Sequence, residues 1–285
     1  MLQALISGLL SGGVYAVLGI CVVVLYRMVG VLNVAQGAIG AFGAFVTVSL
    51  ADDGLPLLLA VVAGVLAGAA LGLLSGAVMS TWFAEAGPEV RSTVAIGILV
   101  AVVTLGYRLF GDSPRSFPDI VPDVSFDVGG VSVTGGAITA IVAAFVVAAA
   151  VWLILQRTEV GVRLRALAER PGTAELLGIR ARPMAIAVWT AMGAIAVLAV
   201  LVVAPSRTPD LLTLSMLVVP AMAAGLIGSF RSLGWTVAGG LLIGVAEGAT
   251  GNVDAAAPYR QAVPLLIIVA ALMWTQRGQV WDEAR

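Results

Sequence analysis

Nine stretches of this chain are each apolar over about the length needed to cross a lipid bilayer, and that repetition leaves it few other ways to fold. They cover residues 2–26, 30–50, 56–79, 92–110, 136–155, 184–204, 211–230, 233–250 and 260–276. A hydrocarbon layer ~30 Å thick takes ~20 residues of helix to span. A soluble protein of 285 residues has no use for so much apolar surface: 60% of the residues are hydrophobic and only 11% are charged. Backbone N–H and C=O groups find no water in lipid, so every segment is expected to be helical. The sequence therefore reads as all-α, a polytopic transmembrane bundle of about eight or nine membrane segments forming one domain over 1–285. The second and seventh segments are glycine-rich, and either can be broken or re-entrant. The first starts at Met1-Leu2 with no basic leader and is read as a span rather than a cleaved signal.

Composition removes several classes of function. There is no lysine, so no phosphate-loop lysine and no ordinary nucleotide site of that kind. With no histidine and a single cysteine, Cys21, the chain lacks a zinc or haem ligand set and cannot form an internal disulfide. No metal, cofactor or nucleic-acid partner is expected. All fifteen basic residues are arginine, and their placement predicts orientation. If the loop 156–183 is cytoplasmic, eleven arginines lie on its side: Arg27, Arg91, the six at 157, 163, 165, 170, 180 and 182, Arg231, Arg277 and Arg285. The other side holds four: Arg108, Arg115, Arg207 and Arg260. That imbalance places the N-terminus outside and the C-terminus inside. The loop 111–135, with Asp112, Asp119, Asp123 and Asp127, then lies outside. Its Val-Ser-Phe-Asp-Val-Gly-Gly-Val-Ser-Val stretch alternates like a short hairpin with a Gly-Gly turn.

Glycines at helical spacing mark close packing. Gly64, Gly68, Gly72 and Gly76 line one face of the third segment, and Gly240, Gly244 and Gly248 one face of the eighth. Such stripes let backbones approach in lipid, and ordinary packing inside the molecule is the favoured reading over a subunit interface. Residues 25–48 and 225–246 both run from an arginine-marked edge into a glycine-rich span, a weak sign of internal repetition.

Polar residues inside the apolar segments are few. Asn33 and Gln36, three apart, share a helical face and need hydrogen-bond partners. Interhelical or capping bonds are the ordinary explanation, and contact with a passing solute is the functional one. Glu247 is the only acid well inside an apolar segment, which makes it a functional candidate. It also lies about a turn from the end of its span, where reaching the interface would suffice.

The arginine-rich stretch is the one substantial polar loop. It reads as an amphipathic helix from Thr158 to Arg170, a Pro171-Gly172 break, and a second short helix capped by Thr173 and closed at Gly178. Val162, Ala166, Leu167, Leu176, Leu177 and Ile179 offer apolar knobs, with the charged residues facing water. A basic loop lying on anionic lipid is the plain alternative. Two short helices with a fixed break look more like a docking element.

Three stretches together resemble the inner-membrane permease subunits of branched-chain amino acid ATP-binding-cassette importers, kin to ribose-type sugar permeases. Gly30-Val31-Leu32-Asn33-Val34-Ala35-Gln36-Gly37 is similar to the family's Gly-Val-Ile-Asn-Phe-Ala-His-Gly segment, with Val34 and Gln36 replacing Phe and His. The polar loop resembles the family's cytoplasmic loop at Arg157, Thr158, Gly161, Arg165, Ala166, Pro171, Ala174, Gly178 and Ile179. The late glycine-rich run matches at Gly225, Gly228, Ser229, Gly239, Gly240, Gly244 and Glu247. The resemblance implies half of a permease pair in a bacterial inner membrane, working with a homologous second subunit, two cytoplasmic ATPases that bind the ATP, and an external solute-binding protein. It implies a solute path along Asn33, Gln36, Gly37, Ser229 and Glu247. It implies ATPase coupling through Gly161, Arg163, Arg165, Glu169, Pro171 and Gly178. Branched-chain amino acids, urea, short amides or aromatic acids are the implied cargo. A self-contained channel or secondary carrier is the rival reading, although the spans hold few of the paired charges that such proteins use.

The orientation has a direct check. Cysteines placed singly at Ser116 and Thr173 should label from opposite sides of sealed cells, and labelling of position 173 by an impermeant reagent from outside would reverse the topology.

Overall fold

Every apolar segment becomes helix, but three do not become one long straight helix. The computed structural model describes residues 2–121, 125–128, 131–206, 209–253 and 255–276. In chain order the elements are α1 (Leu2–Val29), α2 (Gln36–Asp52), α3 (Leu57–Trp82), α4 (Pro88–Phe110), β1 (Ser125–Val128), β2 (Val131–Thr134), α5 (Gly135–Arg157), α6 (Glu159–Glu169), α7 (Pro171–Leu176), α8 (Ala181–Val203), α9 (Leu211–Ser215), α10 (Val218–Ile227), α11 (Leu233–Gly251) and α12 (Val263–Gln276). Among these, α1, α3, α4, α5, α8 and α11 are long and apolar enough to cross a membrane.

The second and seventh segments are interrupted. In the second, α1 stops at Gly30, whose φ of +70° is left-handed and whose N–H bonds the Tyr26 carbonyl at 3.0 Å. Helix resumes only at Gln36. The seventh splits between α9 and α10. Pro220 explains where: a proline there has no N–H for the Met216 carbonyl and its ring would clash with that group. Val219 N–H bonds Met216 O instead, at 3.0 Å, in a tighter turn. The ninth segment departs from the expectation of a plain span, since a 3-10 turn over Ala257–Ala262 precedes the 14-residue α12.

The bundle has two ends. At one lie the polar loop, Arg27 and Arg231, with the Arg27 guanidinium donating to the Arg231 carbonyl at 2.8 Å. At the other lies the β1–β2 hairpin, paired antiparallel from Ser125↔Thr134 to Val128↔Val131; its Gly129-Gly130 turn is outside the described residues. Here Arg115 reaches Ser49 Oγ at 3.1 Å and Asp52 at 3.8 Å, holding the loop after α4 over the end of α2. Of the arginines placed by sequence, Arg207, Arg277 and Arg285 lie outside the described residues.

Glycine seams hold the bundle together inside the molecule. Antiparallel to α11, α1 brings Ala4, Gly8, Gly12 and Ala16 against Gly248, Gly244 and Gly240. Likewise α3 lies antiparallel on α8, with Gly68 against Gly193 and Gly72 and Gly76 against Trp189. Added Cβ atoms would overlap facing backbone at most of these positions. The seams are the two halves of one pattern. Helices α1 to α4 have counterparts in α8, α9–α10, α11 and α12, running in the opposite sense: α1 packs on α11 as α8 packs on α3, and α2 meets α4 as α10 meets α12. The repeat therefore pairs the region after α1 with the region after α8. That corrects the echo between 25–48 and 225–246, which marks two chain reversals that meet at Tyr26 and Phe230, 5.2 Å apart.

Helix α1 is wrapped by the others, with Val14 to Leu25 almost wholly buried. The outer helices turn Leu58, Leu66, Leu74, Val100 and Phe145 outward, a band that suits lipid contact and no aqueous surface. Gly244→Val should therefore cost about 1–3 kcal/mol or abolish assembly. By contrast Gly97→Ala, where nothing lies within 4 Å of a new Cβ, should be neutral or stabilising by up to about 1 kcal/mol. Thermal unfolding of both variants in detergent checks the contrast.

Candidate functional site

The two helix breaks meet in the middle of the bundle. Gln36 opens α2, and its Nε2 donates to the carbonyl of Met192, halfway along α8, at 2.7 Å. Asn33 Nδ2 donates to Gln36 Oε1 at 2.9 Å, and Asn33 Oδ1 accepts from the Ala35 N–H at 3.0 Å. Both amides are fully buried. Asn33 thus shapes the turn that starts α2, and Gln36 fastens it to α8. Gly37 lies against the carbonyl of Ser215, at the α9–α10 break, and has no room for a Cβ. One helix start, one helix end and a second helix start converge at this level, where backbone dipoles are not cancelled by a continuing turn. Such interrupted helices at mid-membrane are how many transporters build a path.

The sequence-chosen pathway residues do not form one cluster. Asn33, Gln36 and Gly37 make the central node. Ser229 is exposed at the polar-loop end, in a turn where Ser229 and Phe230 both take φ of +50°. There its N–H bonds Leu226 O at 2.7 Å. Glu247 is buried toward the hairpin end of α11, and Tyr15 Oη donates to its Oε2 at 2.7 Å. Tyr15 was not singled out from sequence. Its signal was positional: it neighbours Ala16, which continues the four-residue small spacing of Gly8 and Gly12 that faces α11.

The polar loop folds as a bracket joining α5 to α8. Thr158 caps α6, its Oγ1 accepting from Gly161 N–H at 3.1 Å and donating to Ile154 O at 2.6 Å. Glu159 pairs with Arg163 at 3.3 Å one turn on, and Arg165 reaches Gln156 Oε1 at 3.3 Å. Arg170, next to Glu169, turns the chain with φ −146° and ψ 83°, an extended geometry that the following Pro171 favours. Pro171 is the first residue of α7, so the break precedes the Pro-Gly pair, and Thr173 lies inside α7 instead of capping it. Gly178 closes the bracket at φ +83°, where Gly178 and Ile179 N–H bond Glu175 and Ala174 carbonyls at 2.9 and 3.0 Å.

Two further expectations change. Leu167 is an anchor and no free knob: with Leu164 and Ala174 it is buried against the bundle. Gly161 faces inward, against the Ile154 and Leu155 carbonyls that end α5, so it sets the α5–α6 angle. What projects outward is Val160, Val162, Leu176 and Leu177, the last two 90% and 76% exposed.

A bundle of this composition, broken at its centre and carrying a bracket at one end, is a multi-pass membrane transport protein. Residues 4–272 match the family model described as "Branched-chain amino acid transport system / permease component", and the chain belongs to that family. It is a transport permease and not an enzyme. The chain is 25% identical over 294 residues to the high-affinity branched-chain amino acid transport system permease protein BraD of Pseudomonas aeruginosa, covering 97% of this chain and 94% of the relative. It is 26% identical over 133 residues to the probable branched-chain amino acid transport permease protein LivH of Methanocaldococcus jannaschii, covering 45% of this chain and 42% of that one.

The amide pair predicts coupled energetics. Asn33→Ala and Gln36→Ala should each cost about 1–3 kcal/mol, while the double variant costs less than their sum by about 0.5–3 kcal/mol. A double-mutant cycle in thermal or denaturant unfolding measures this, and strict additivity would show that the two side chains act independently.

Proposed function

We propose that the chain is one of two related permease subunits of an ATP-driven importer in a bacterial plasma membrane. Branched-chain amino acids or a related small polar solute are its cargo. An external binding protein delivers the solute at the hairpin end, and two cytoplasmic ATPases act at the bracket. The names of the relatives support the cargo class, as said of those proteins. Arginine placement supports the orientation: among the described residues nine lie at the bracket end and three, Arg108, Arg115 and Arg260, at the hairpin end.

The observation that carries the coupling assignment is the exposure of Leu176 and Leu177, the most exposed apolar residues of a bracket that Leu164, Leu167 and Ala174 anchor. Exposed leucines on an otherwise charged element call for a protein cleft. Arg163 and Arg165 can pair with acids at its rim. Movement of the bracket is delivered to both helices it joins. Through α8 it reaches the Met192 carbonyl, hence Gln36 and the start of α2, so the central break is one hydrogen bond from a helix that the ATPases would move. Glu169, Pro171, Gly161 and Gly178 hold the bracket's shape in this scheme, and Ser229 belongs to the neighbouring turn.

Leu176→Asp combined with Leu177→Asp should cut co-purification of the ATPase and solute-stimulated ATP hydrolysis by about tenfold or more. Arg165→Glu should weaken both in a salt-dependent way. Normal recruitment and normal stimulation in both variants would remove the coupling assignment. Solute uptake by the chain alone, without ATP, would mark a channel or carrier instead.

A further inference from the structure

Glu247 is the floor of a crevice that the central node does not explain. The crevice, of about 450 Å³, lies toward the hairpin end between α1, the α9–α10 break, α11 and the turn before α12. Its polar lining is Tyr15, Thr213, Glu247, Arg260 and Gln261, and the rest is apolar and includes Met216, Leu217, Val219 and Leu265. Tyr15 and Glu247 are buried, and their 2.7 Å hydrogen bond fixes where the carboxylate points. Arg260, partly buried, stands beside the last turn of α11, its side chain against Gly251. One carboxylate, one guanidinium and an aliphatic wall thus line the same small space.

We infer that this crevice is a solute-binding site within the permease, shaped for a zwitterion with an aliphatic side chain. Glu247 takes the ammonium group, Arg260 takes the carboxylate, and the wall formed by Met216, Leu217 and Val219 takes the side chain. A carboxylate accepts about four hydrogen bonds, and the Tyr15 hydroxyl takes one of them. A guanidinium matches a carboxylate in shape and charge. The apolar wall is the α9–α10 break itself, so an occupant touches the interrupted segment that also borders Gly37. The inference rests on the permease reading and adds a named site and a charge pattern to it.

The full chain, in lipid nanodiscs with the subunits that copurify but without the external binding protein, is titrated with radiolabelled L-leucine up to millimolar concentration. Leucinamide, which lacks the carboxylate, and 4-methylpentanoate, which lacks the ammonium, serve as competitors. Glu247→Gln should weaken leucine and leucinamide by about tenfold or more and leave 4-methylpentanoate unchanged. Arg260→Gln should weaken leucine and 4-methylpentanoate and leave leucinamide unchanged. Equal loss of all three probes in both variants would reduce these residues to structural roles and overturn the site. So would unchanged binding in both. If the wild-type chain binds no probe yet its complete system imports leucine with ATP, the site fails and the permease reading stands. If neither binding nor ATP-driven import of any zwitterion is found, both fail.

Discussion

A backbone that leaves helical geometry inside hydrocarbon must find every hydrogen bond it gives up, and the centre of this bundle is organised by that demand. Residues 30–35 are not helical, yet they lead to a helix start level with the middle of α8. Asn33 and Gln36 make the interruption tolerable: one bonds the local backbone, the other bonds a neighbouring helix, and they bond each other. An unpaired peptide group here would cost several kcal/mol (~4–8 against pure hydrocarbon). Gly37 adds the steric half of the solution, because only a residue without Cβ lets α2 start against the Ser215 carbonyl. The partner break, imposed by Pro220, is therefore met by the first at close range.

The glycine seams have the same logic in a different form. Apolar side chains gain little from meeting each other in lipid, so association depends on how closely backbones approach. The α1–α11 and α3–α8 seams supply that approach twice, in opposite orientation. Each half lends its first helix to the other half's third, so the halves interlock and cannot separate as independent units. The two interrupted segments and the bracket that joins α5 to α8 lie outside these seams.

That arrangement relates the bracket to the central break without a long chain of side chains. The bracket is fastened at both feet, by Thr158 on the last turn of α5 and by Gly178 at the entry to α8. Buried Leu164, Leu167 and Ala174 hold its inner face. A push on its exposed leucines is therefore transmitted by whole helices. Because α8 carries the carbonyl to which Gln36 is bound, the helix that leaves the bracket is also the one that anchors the central break.

The sequence by itself determined the class of fold. Apolar runs of membrane length and the requirement for internally bonded backbone leave no alternative to a helical bundle, and the glycine spacing marked which helix faces would touch. Glycine content also singled out the two segments that break, and the capping pattern marked α6 and the Gly178 close. Which polar groups meet was decided only in three dimensions. Asn33 and Gln36 read as a pair because they are three apart, but the Met192 carbonyl is 156 residues from Gln36. Tyr15 and Glu247 are 232 apart, and no local pattern joins them. Leu167 read as a free apolar knob and Gly161 as a coupling residue, and the packing of α6 turned both inward. Local periodicity fixes which residues share a face of one helix; only the packed bundle fixes which face meets lipid, a neighbour or a crevice.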